Sequence, residues 1–187
     1  MRRLFLCFGF LLGLLPSLVM ANEPVWKVDP KKSSVSFEYL EGGKSKKGAF
    51  DVFTASIVFD SKSPESASAS VSVVTASIDL NDAMREGVLG TNPWFNSGDF
   101  PRAEFSLKGL RPVGSGTYLA DGVLRIKTVK LPVQVMVKVT LNGNNARAVG
   151  TLEIDRTDFR LRDVLLESVV SIGERVTIGF DLIATLE

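Results

Sequence analysis

Two long stretches of the sequence alternate between apolar and mostly polar side chains, and this period of two constrains the fold most strongly. Successive side chains of a β-strand point to opposite faces of a sheet, so the alternation indicates strands with one buried face. The apolar faces consist of Val176, Ile178, Phe180, Leu182, Ala184 and Leu186 in one stretch, and of Leu131, Val133, Val135, Val137, Val139 and Leu141 in the other.

Shorter alternating segments, separated by turn residues, fill most of the remaining chain. A run of asparagine and glycine at 142–145 supplies residues that accept positive φ, which favours a hairpin turn after the second long stretch. The sequence predicts about eight antiparallel strands, the others lying near residues 34–39, 50–59, 67–73, 103–107, 118–126 and 148–154.

Residues 78–100 interrupt the alternation and predict the one helix. Asn81 is expected to cap a short helix over residues 82–89, in which Met84 and Val88 lie one turn apart on the same face. The helix is expected to cover one end of the sheet.

Antiparallel strands with little helix allow either a sandwich or an up-and-down barrel. The paired cysteines around a buried tryptophan that mark immunoglobulin sandwiches are missing from the sequence. Closing eight strands into a barrel removes the exposed edges, and a barrel of this size is either filled by side chains or hollow enough for one small ligand. We therefore predict an all-β fold, an eight-stranded antiparallel barrel with one short helix capping an end.

The N-terminus has the three parts of a secretory signal peptide. Arg2 and Arg3 are followed by an apolar run over residues 4–15 and by a small-residue cleavage site that ends at Ala21. A membrane-spanning helix needs about 20 apolar residues, so an uncleaved anchor is the less favoured alternative. We predict a signal peptide at residues 1–21 and a single domain at residues 22–187.

Composition excludes several kinds of chemistry. The chain has no histidine, and its one cysteine, Cys7, lies in the predicted signal peptide. Catalytic triads, Cys–His dyads and the usual zinc sites need one or both residues, so we expect no catalytic residues, no metal and no cofactor. Removing Arg2 and Arg3 leaves 20 basic residues against 21 acidic residues. This balance gives no electrostatic footprint for a nucleic-acid partner.

Several short segments carry a family resemblance through their order and spacing. They include Trp26-Lys27-Val28-Asp29-Pro30, Ser77-Ile78-Asp79, Phe100-Pro101 and Ile154-Asp155-Arg156-Thr157-Asp158-Phe159. Together they resemble the YceI-like family of exported bacterial lipid-binding proteins over nearly the whole predicted domain. The resemblance implies a lipocalin-like barrel in the periplasm that holds a polyisoprenoid, such as an isoprenoid quinone or its precursor, in an elongated apolar cavity.

Three positions make the chain a divergent member of this family. The family often has histidine where Val88 and Lys127 stand, and it usually has glycine where Arg160 stands. The departures concern the predicted helix and two turns, so they bear on the head group of the ligand more than on its tail.

The candidate cavity residues are apolar residues of the predicted strands and of the segment around the helix. Arg156 is the candidate contact for a ligand head group, although a salt bridge that closes the end of a strand is the somewhat favoured alternative. The aromatic residues of the helical segment are expected at the mouth, with core packing as the alternative. The predicted cavity set is Phe37, Phe50, Phe53, Val71, Val73, Trp94, Phe95, Phe100, Phe105, Leu124 and Ile126.

Two other functions compete with a lipid carrier. The first is a filled barrel without a ligand whose loops bind another protein of the cell envelope. The second, less favoured, is a hydrolase that uses Asp155, Asp158 and Asp163, but neighbouring arginines favour ion pairs for these carboxylates. Two partner contacts also stay open, namely a homodimer and a transient contact of the lysine-rich turn at residues 44–47 with an anionic membrane surface.

Overall fold

The fold is described by a computed structural model that covers residues 23–187, so the predicted signal peptide lies outside the described residues. Two short helices, α1 (Ala83–Leu89) and α2 (Val164–Glu167), interrupt a chain made mostly of strands. The strands are β1 (Val25–Val28), β2 (Ser34–Glu41), β3 (Lys44–Phe50), β4 (Phe53–Val58), β5 (Ser68–Val74), β6 (Ile78–Asp79), β7 (Arg102–Gly114), β8 (Thr117–Ile126), β9 (Val129–Asn142), β10 (Asn145–Asp155) and β11 (Ile172–Leu186).

These strands form a closed antiparallel barrel with eight positions around its wall. The long strand β11 pairs with β10 on one side and with both β1 and β2 on the other, which closes the ring. β3 and β4 together occupy the next position, and β5 and β6 the one after it, because β3 pairs with β6 and β4 pairs with β5. The prediction of an eight-stranded antiparallel barrel is confirmed.

Alternation along the strands places the core inside the barrel. In β8 every second residue is buried, from Tyr118 through Ala120, Gly122 and Leu124 to Ile126. The neighbouring strand β9 contributes Val135 and its alternate neighbours to the same interior. A single period of two therefore explains both the strand conformation and the location of the core.

The two ends of the barrel differ in how they are built. The end formed by the β7–β8 and β9–β10 turns, which we call the hairpin end, is covered by apolar rings. The Trp26 indole donates a hydrogen bond from Nε1 to the carbonyl oxygen of Phe59 at 2.9 Å, and the rings of Phe59 and Tyr118 meet edge to face at 5.6 Å between centroids. The opposite end, the helix end, consists of α1, α2, the β2–β3 and β8–β9 turns and their flanking loops.

The cap of α1 differs by one residue from the sequence-based expectation. Asp82 is the N-cap, and its carboxylate accepts a hydrogen bond from the backbone N–H of Arg85 at 3.2 Å. Asn81 has φ of 54°, outside the helical region, and precedes the cap. The Glu86 carboxylate also accepts from the N–H groups of Leu80 and Asp82, so two acids satisfy the free donors at this helix start.

α2 is a single helical turn that the sequence analysis did not predict. The Asp163 carboxylate caps it by accepting hydrogen bonds from the backbone N–H groups of Leu165 and Leu166 at 3.0 and 3.1 Å. The turn lies in the connection between β10 and β11, so it joins α1 at the helix end.

Candidate ligand cavity

A cavity of about 480 Å³ runs through the barrel from one end to the other. Trp26 and Phe59 line it at the hairpin end, whereas Met84, Val88 and Leu166 line it at the helix end. This volume falls within the range of about 300–1,000 Å³ that is typical of pockets for small ligands. The barrel is therefore hollow, which the sequence left undecided.

Nine of the eleven predicted cavity residues line this cavity. Phe53 faces the core at the start of β4 and is buried by its neighbours without lining the cavity. Phe100 lies in the loop before β7, where its carbonyl oxygen accepts a hydrogen bond from the buried Thr75 hydroxyl at 2.8 Å. The nine lining residues are Phe37, Phe50, Val71, Val73, Trp94, Phe95, Phe105, Leu124 and Ile126.

The interior stays open because phenylalanine rings pack against glycines of neighbouring strands. A Cβ atom at Gly122 would overlap the ring of Phe105, and a Cβ at Gly150 would lie 2.5 Å from the Phe180 ring. Any side chain at these glycines would push the ring towards the middle of the barrel. Small residues leave further space along the wall, and they include Ala67, Ala69, Ala120, Ala146, Ala148 and Ala184.

Arg156 lines the cavity and ties together the loops of the helix end. Its side chain is 5% exposed, and it donates hydrogen bonds to the carbonyl oxygens of Leu161, Ile172 and Gly173 at 2.6, 2.9 and 2.9 Å. Its Nη1 atom also lies 2.8 Å from a carboxylate oxygen of Glu167 in α2. Three of the five guanidinium N–H groups donate to backbone and a fourth faces Glu167, so one remains for a ligand.

Trp94 lies beneath this guanidinium. The centre of the Arg156 guanidinium is 5.3 Å from the centroid of the Trp94 ring, within the range of a cation–π contact. Trp94 is buried and lines the cavity, and its indole N–H has no hydrogen-bond partner among residues 23–187. Buried indole N–H groups usually have a partner, so this donor is available to a polar atom of a ligand.

Lys127 fixes the backbone around Trp94. Its ammonium donates hydrogen bonds to the carbonyl oxygens of Pro93, Trp94 and Arg160 at 3.1, 2.8 and 3.3 Å. Burial, with a further contribution from the charge of Arg160, lowers the pKa of Lys127. The side chain therefore connects the β8–β9 turn to two other loops of the helix end.

The helix end also carries polar groups on β2. Val35, Phe37, Tyr39 and Glu41 share the inward face of this strand, so the face changes from apolar to charged as it approaches the opening. Burial, followed in size by the nearby Glu41 carboxylate, raises the pKa of Tyr39. Glu41 pairs with Arg85 of α1, whose Nη1 atom lies 3.1 Å from the carboxylate.

Exposed apolar side chains surround the opening at the helix end. Met84 is 81% exposed, and Leu165 and Val169 are 83% and 82% exposed. The lysine-rich β2–β3 turn adjoins them, because the N–H of Gly42 donates to the carbonyl oxygen of Ser171 at 2.8 Å. We call the exposed apolar residues the apolar rim, and they are Leu40, Met84, Val88, Val164, Leu165 and Val169.

Four cavity residues between the end of β10 and the start of β11 were not predicted from the sequence: Leu161, Leu166 and Val170 of the connection, and Ile172, the first residue of β11. The signal that was available is Asp163 followed by an apolar run, since aspartate is a favoured helix N-cap. The inward faces of β9, β10 and β11 also line the cavity, although only their strand character was predicted.

Two negative findings concern the described part of the chain. Within residues 23–187, no three histidine, cysteine, aspartate or glutamate side chains lie close enough together to hold a metal ion. In the same residues, no helix has the length and apolar character needed to cross a bilayer.

Comparison with protein families matches residues 26–184 to the YceI-like domain. The chain belongs to the YceI-like family. The resemblance found in the sequence is thereby confirmed over most of the chain. A UPF0312 protein of Yersinia enterocolitica is 34% identical over 98 residues, which make up 52% of this chain and 50% of that protein. The chain thus aligns with about half the length of the curated relatives that it matches.

Solved structures share the YceI-like barrel. BcnA of Burkholderia cenocepacia has a TM-score of 0.80 and 32% identity over 85% of this chain and all of that one. A polyisoprenoid binding domain from Saccharophagus degradans has a TM-score of 0.73 over 89% of this chain and all of that one, but its 15% identity supports the fold alone.

Two of the three departures from the family pattern occupy positions where the backbone φ angle is positive. Arg160 has φ of 58° and Lys127 has φ of 53°, the left-handed region that favours glycine. The resemblance led us to expect glycine at the position of Arg160, and this conformation gives a physical reason for that expectation. Val88, the third departure, lies on α1 as part of the apolar rim.

Proposed function

We propose that this YceI-like protein is exported to the periplasm and carries an isoprenoid lipid inside its barrel. The observation that supports the proposal most is the continuous apolar cavity of about 480 Å³ along the barrel axis. The name of the related Saccharophagus degradans domain, a polyisoprenoid binding domain, points to the same ligand class. The predicted signal peptide at residues 1–21 supports export.

The energetics of binding permit a tight complex. Larger ligands realise about 0.3 kcal/mol for each heavy atom. An isoprenoid tail of roughly forty carbons would then contribute about 12 kcal/mol, which corresponds to nanomolar affinity. Cavity length and the polar groups at the opening must therefore provide the selectivity.

The distribution of polar groups suggests the orientation of the ligand. The hairpin end offers the apolar rings of Trp26 and Phe59, whereas the helix end offers Arg156 and the indole N–H of Trp94, which has no partner among residues 23–187. We propose that the tail points towards the hairpin end and that the head group lies near Arg156. Both donors suit an oxygen of the head group, such as the oxygen of a quinone or of a prenol.

We further propose that the apolar rim contacts a bilayer while the ligand enters or leaves. The rim surrounds the opening of the cavity, so a lipid could pass between bilayer and barrel without crossing water. Lys44 and Lys47 are exposed next to the rim and suit anionic lipid head groups. Each buried CH₂ group contributes about 0.8 kcal/mol to such a contact.

Vesicle binding tests the contact with the membrane. Replacing Leu165 and Val169 by serine should reduce co-sedimentation with vesicles that contain anionic lipid. Val113→Ser is the matched control, because Val113 is exposed and apolar but lies in β7 close to the β7–β8 turn, at the hairpin end. Equal vesicle binding by both variants would refute the contact through the rim.

Ligand-binding measurements test the carrier itself. Prenols, quinones and an isoprenoid hydrocarbon should each raise the melting temperature of delipidated protein, because a ligand that binds only the folded state stabilises it. A filled barrel that acts as an interaction module would show no such shift. If none of these ligands produces a shift, the carrier proposal fails.

A further inference from the structure

We infer that Glu41 is the acceptor for a hydroxyl hydrogen of the ligand, so that the cavity selects neutral head groups that carry a hydrogen-bond donor. This inference rests on the proposed function, since it assumes that an isoprenoid occupies the cavity. It narrows the ligand class to prenols and reduced quinols, as opposed to head groups that only accept hydrogen bonds and to prenyl diphosphates.

Glu41 lies where the inward face of β2 reaches the helix end of the cavity. It is the last residue of β2, and it shares the inward face of that strand with Phe37 and Tyr39. Its side chain is only 13% exposed and lines the cavity at the helix end. A carboxylate that faces an otherwise apolar cavity is costly unless it is paired and hydrogen-bonded.

The bonding of this carboxylate is incomplete. Its Oε2 atom is buried and lies 3.1 Å from Nη1 of Arg85, yet no donor among residues 23–187 makes an aligned hydrogen bond to it. The two oxygens of a carboxylate can accept about four hydrogen bonds. An ion pair with Arg85 therefore offsets the charge while leaving lone pairs that a ligand O–H can use.

The neighbouring charges do not favour an anionic head group. Asp82 also lies beside Arg85, with its Oδ2 atom 3.3 Å from Nε, so two carboxylates share one guanidinium. Lys44 and Lys46 are the register partners of Glu41 and Tyr39 on β3, but within residues 23–187 neither is in salt-bridge contact with Glu41. A phosphate at this place would meet the Glu41 carboxylate directly.

Arg156 supplies the complementary half of the site. It donates to the carbonyl oxygen of Ile172, and Ile172 is the register partner of Glu41 between β11 and β2. The donor side chain, which follows the end of β10, and the acceptor side chain, at the end of β2, therefore lie on opposite sides of the first residue of β11. A hydroxyl group can accept from one and donate to the other, whereas an ether or a quinone carbonyl can only accept.

The test compares three ligands that share one C20 tail, namely geranylgeraniol, its methyl ether and geranylgeranyl diphosphate, together with the saturated C20 hydrocarbon phytane. Hydrogen bonds to a charged group contribute enough for about a tenfold to hundredfold preference for the prenol over its ether. Glu41→Leu should reduce this preference to within about threefold. Glu41→Gln keeps a neutral acceptor and should give an intermediate preference. The diphosphate should bind more weakly than the prenol to the unmodified protein.

Arg85→Gln tests whether Glu41 binds the head group or serves only to hold α1 through its ion pair with Arg85. This variant breaks the ion pair but keeps the Glu41 acceptor, so the preference for the prenol over the ether should persist. Any one of four results would overturn the inference. Two of them concern the unmodified protein, namely equal affinity for prenol and ether, or tight binding of the diphosphate. The other two concern the variants, namely an unchanged preference in Glu41→Leu or loss of the preference in Arg85→Gln. Failure of all four C20 ligands to bind would instead overturn the carrier proposal. Circular dichroism confirms that each variant is folded.

Discussion

Replacing Arg156 by methionine tests how the helix end is held together. Methionine keeps most of the apolar stem but removes the guanidinium, which hydrogen-bonds three backbone carbonyls and pairs with Glu167. The loss leaves these carbonyls without their donor in a buried setting, where breaking an ion pair typically costs about 3–5 kcal/mol. We therefore expect the free energy of unfolding to fall by about 3–5 kcal/mol.

The matched control is Arg162→Met. Arg162 contacts the same Glu167 carboxylate at 2.9 Å, but its side chain is 53% exposed, so its removal should cost less than about 1 kcal/mol. Urea unfolding of delipidated protein, followed by tryptophan fluorescence, measures both values. For a domain of this size the Arg156 variant should also melt about 6–20 °C lower. A loss below about 1 kcal/mol, equal to that of the control, would refute the role of Arg156 in holding these loops.

Three further predictions follow from the cavity wall and from one surface ion pair. Gly122→Ala should cost about 1–3 kcal/mol of stability and weaken ligand uptake. Gly98→Ala, with open space around it, should do neither. Thermal melts measure the loss of stability, and binding titrations measure ligand uptake. Leu124→Trp should weaken uptake by occupying the cavity, and unchanged affinity would contradict its placement there. Hydrogen bonds from Arg147 lower the pKa of Asp181. The stability that this carboxylate contributes is therefore present above its ordinary pKa of about 3.9 and is lost as the pH falls further. Asp181→Asn should make the free energy of unfolding depend less on pH in this acid range.

The barrel was predictable from sequence because its wall repeats one local rule. Alternation in β8, β9 and β11 determines which residues face inward, and closure follows from the need to pair the sheet edges. The individual turns and caps depend on single residues, which explains why the cap of α1 was placed at Asn81 rather than at Asp82. A one-turn helix such as α2 leaves too short a periodic signal to be detected.

The cavity was predictable in part. Its phenylalanines and valines are inward-facing strand residues, so alternation identifies them, but alternation does not reveal whether the interior is filled. That property depends on contacts between strands, such as Phe105 lying over Gly122, which only the register brings together. The same holds for Arg156, because its partners at residues 172 and 173 become neighbours only when β10 and β11 pair, and its partner at residue 161 depends on the course of the loop between these strands.

Mass spectrometry of the protein purified from its native host tests the central claim most directly. Native spectra should show one bound lipid for each barrel, and an organic extract should identify it as an isoprenoid. Leu124→Trp protein prepared in parallel should carry less of it. An extract that stays empty in repeated preparations, together with no rise in melting temperature on addition of prenols or quinones, would contradict the carrier function.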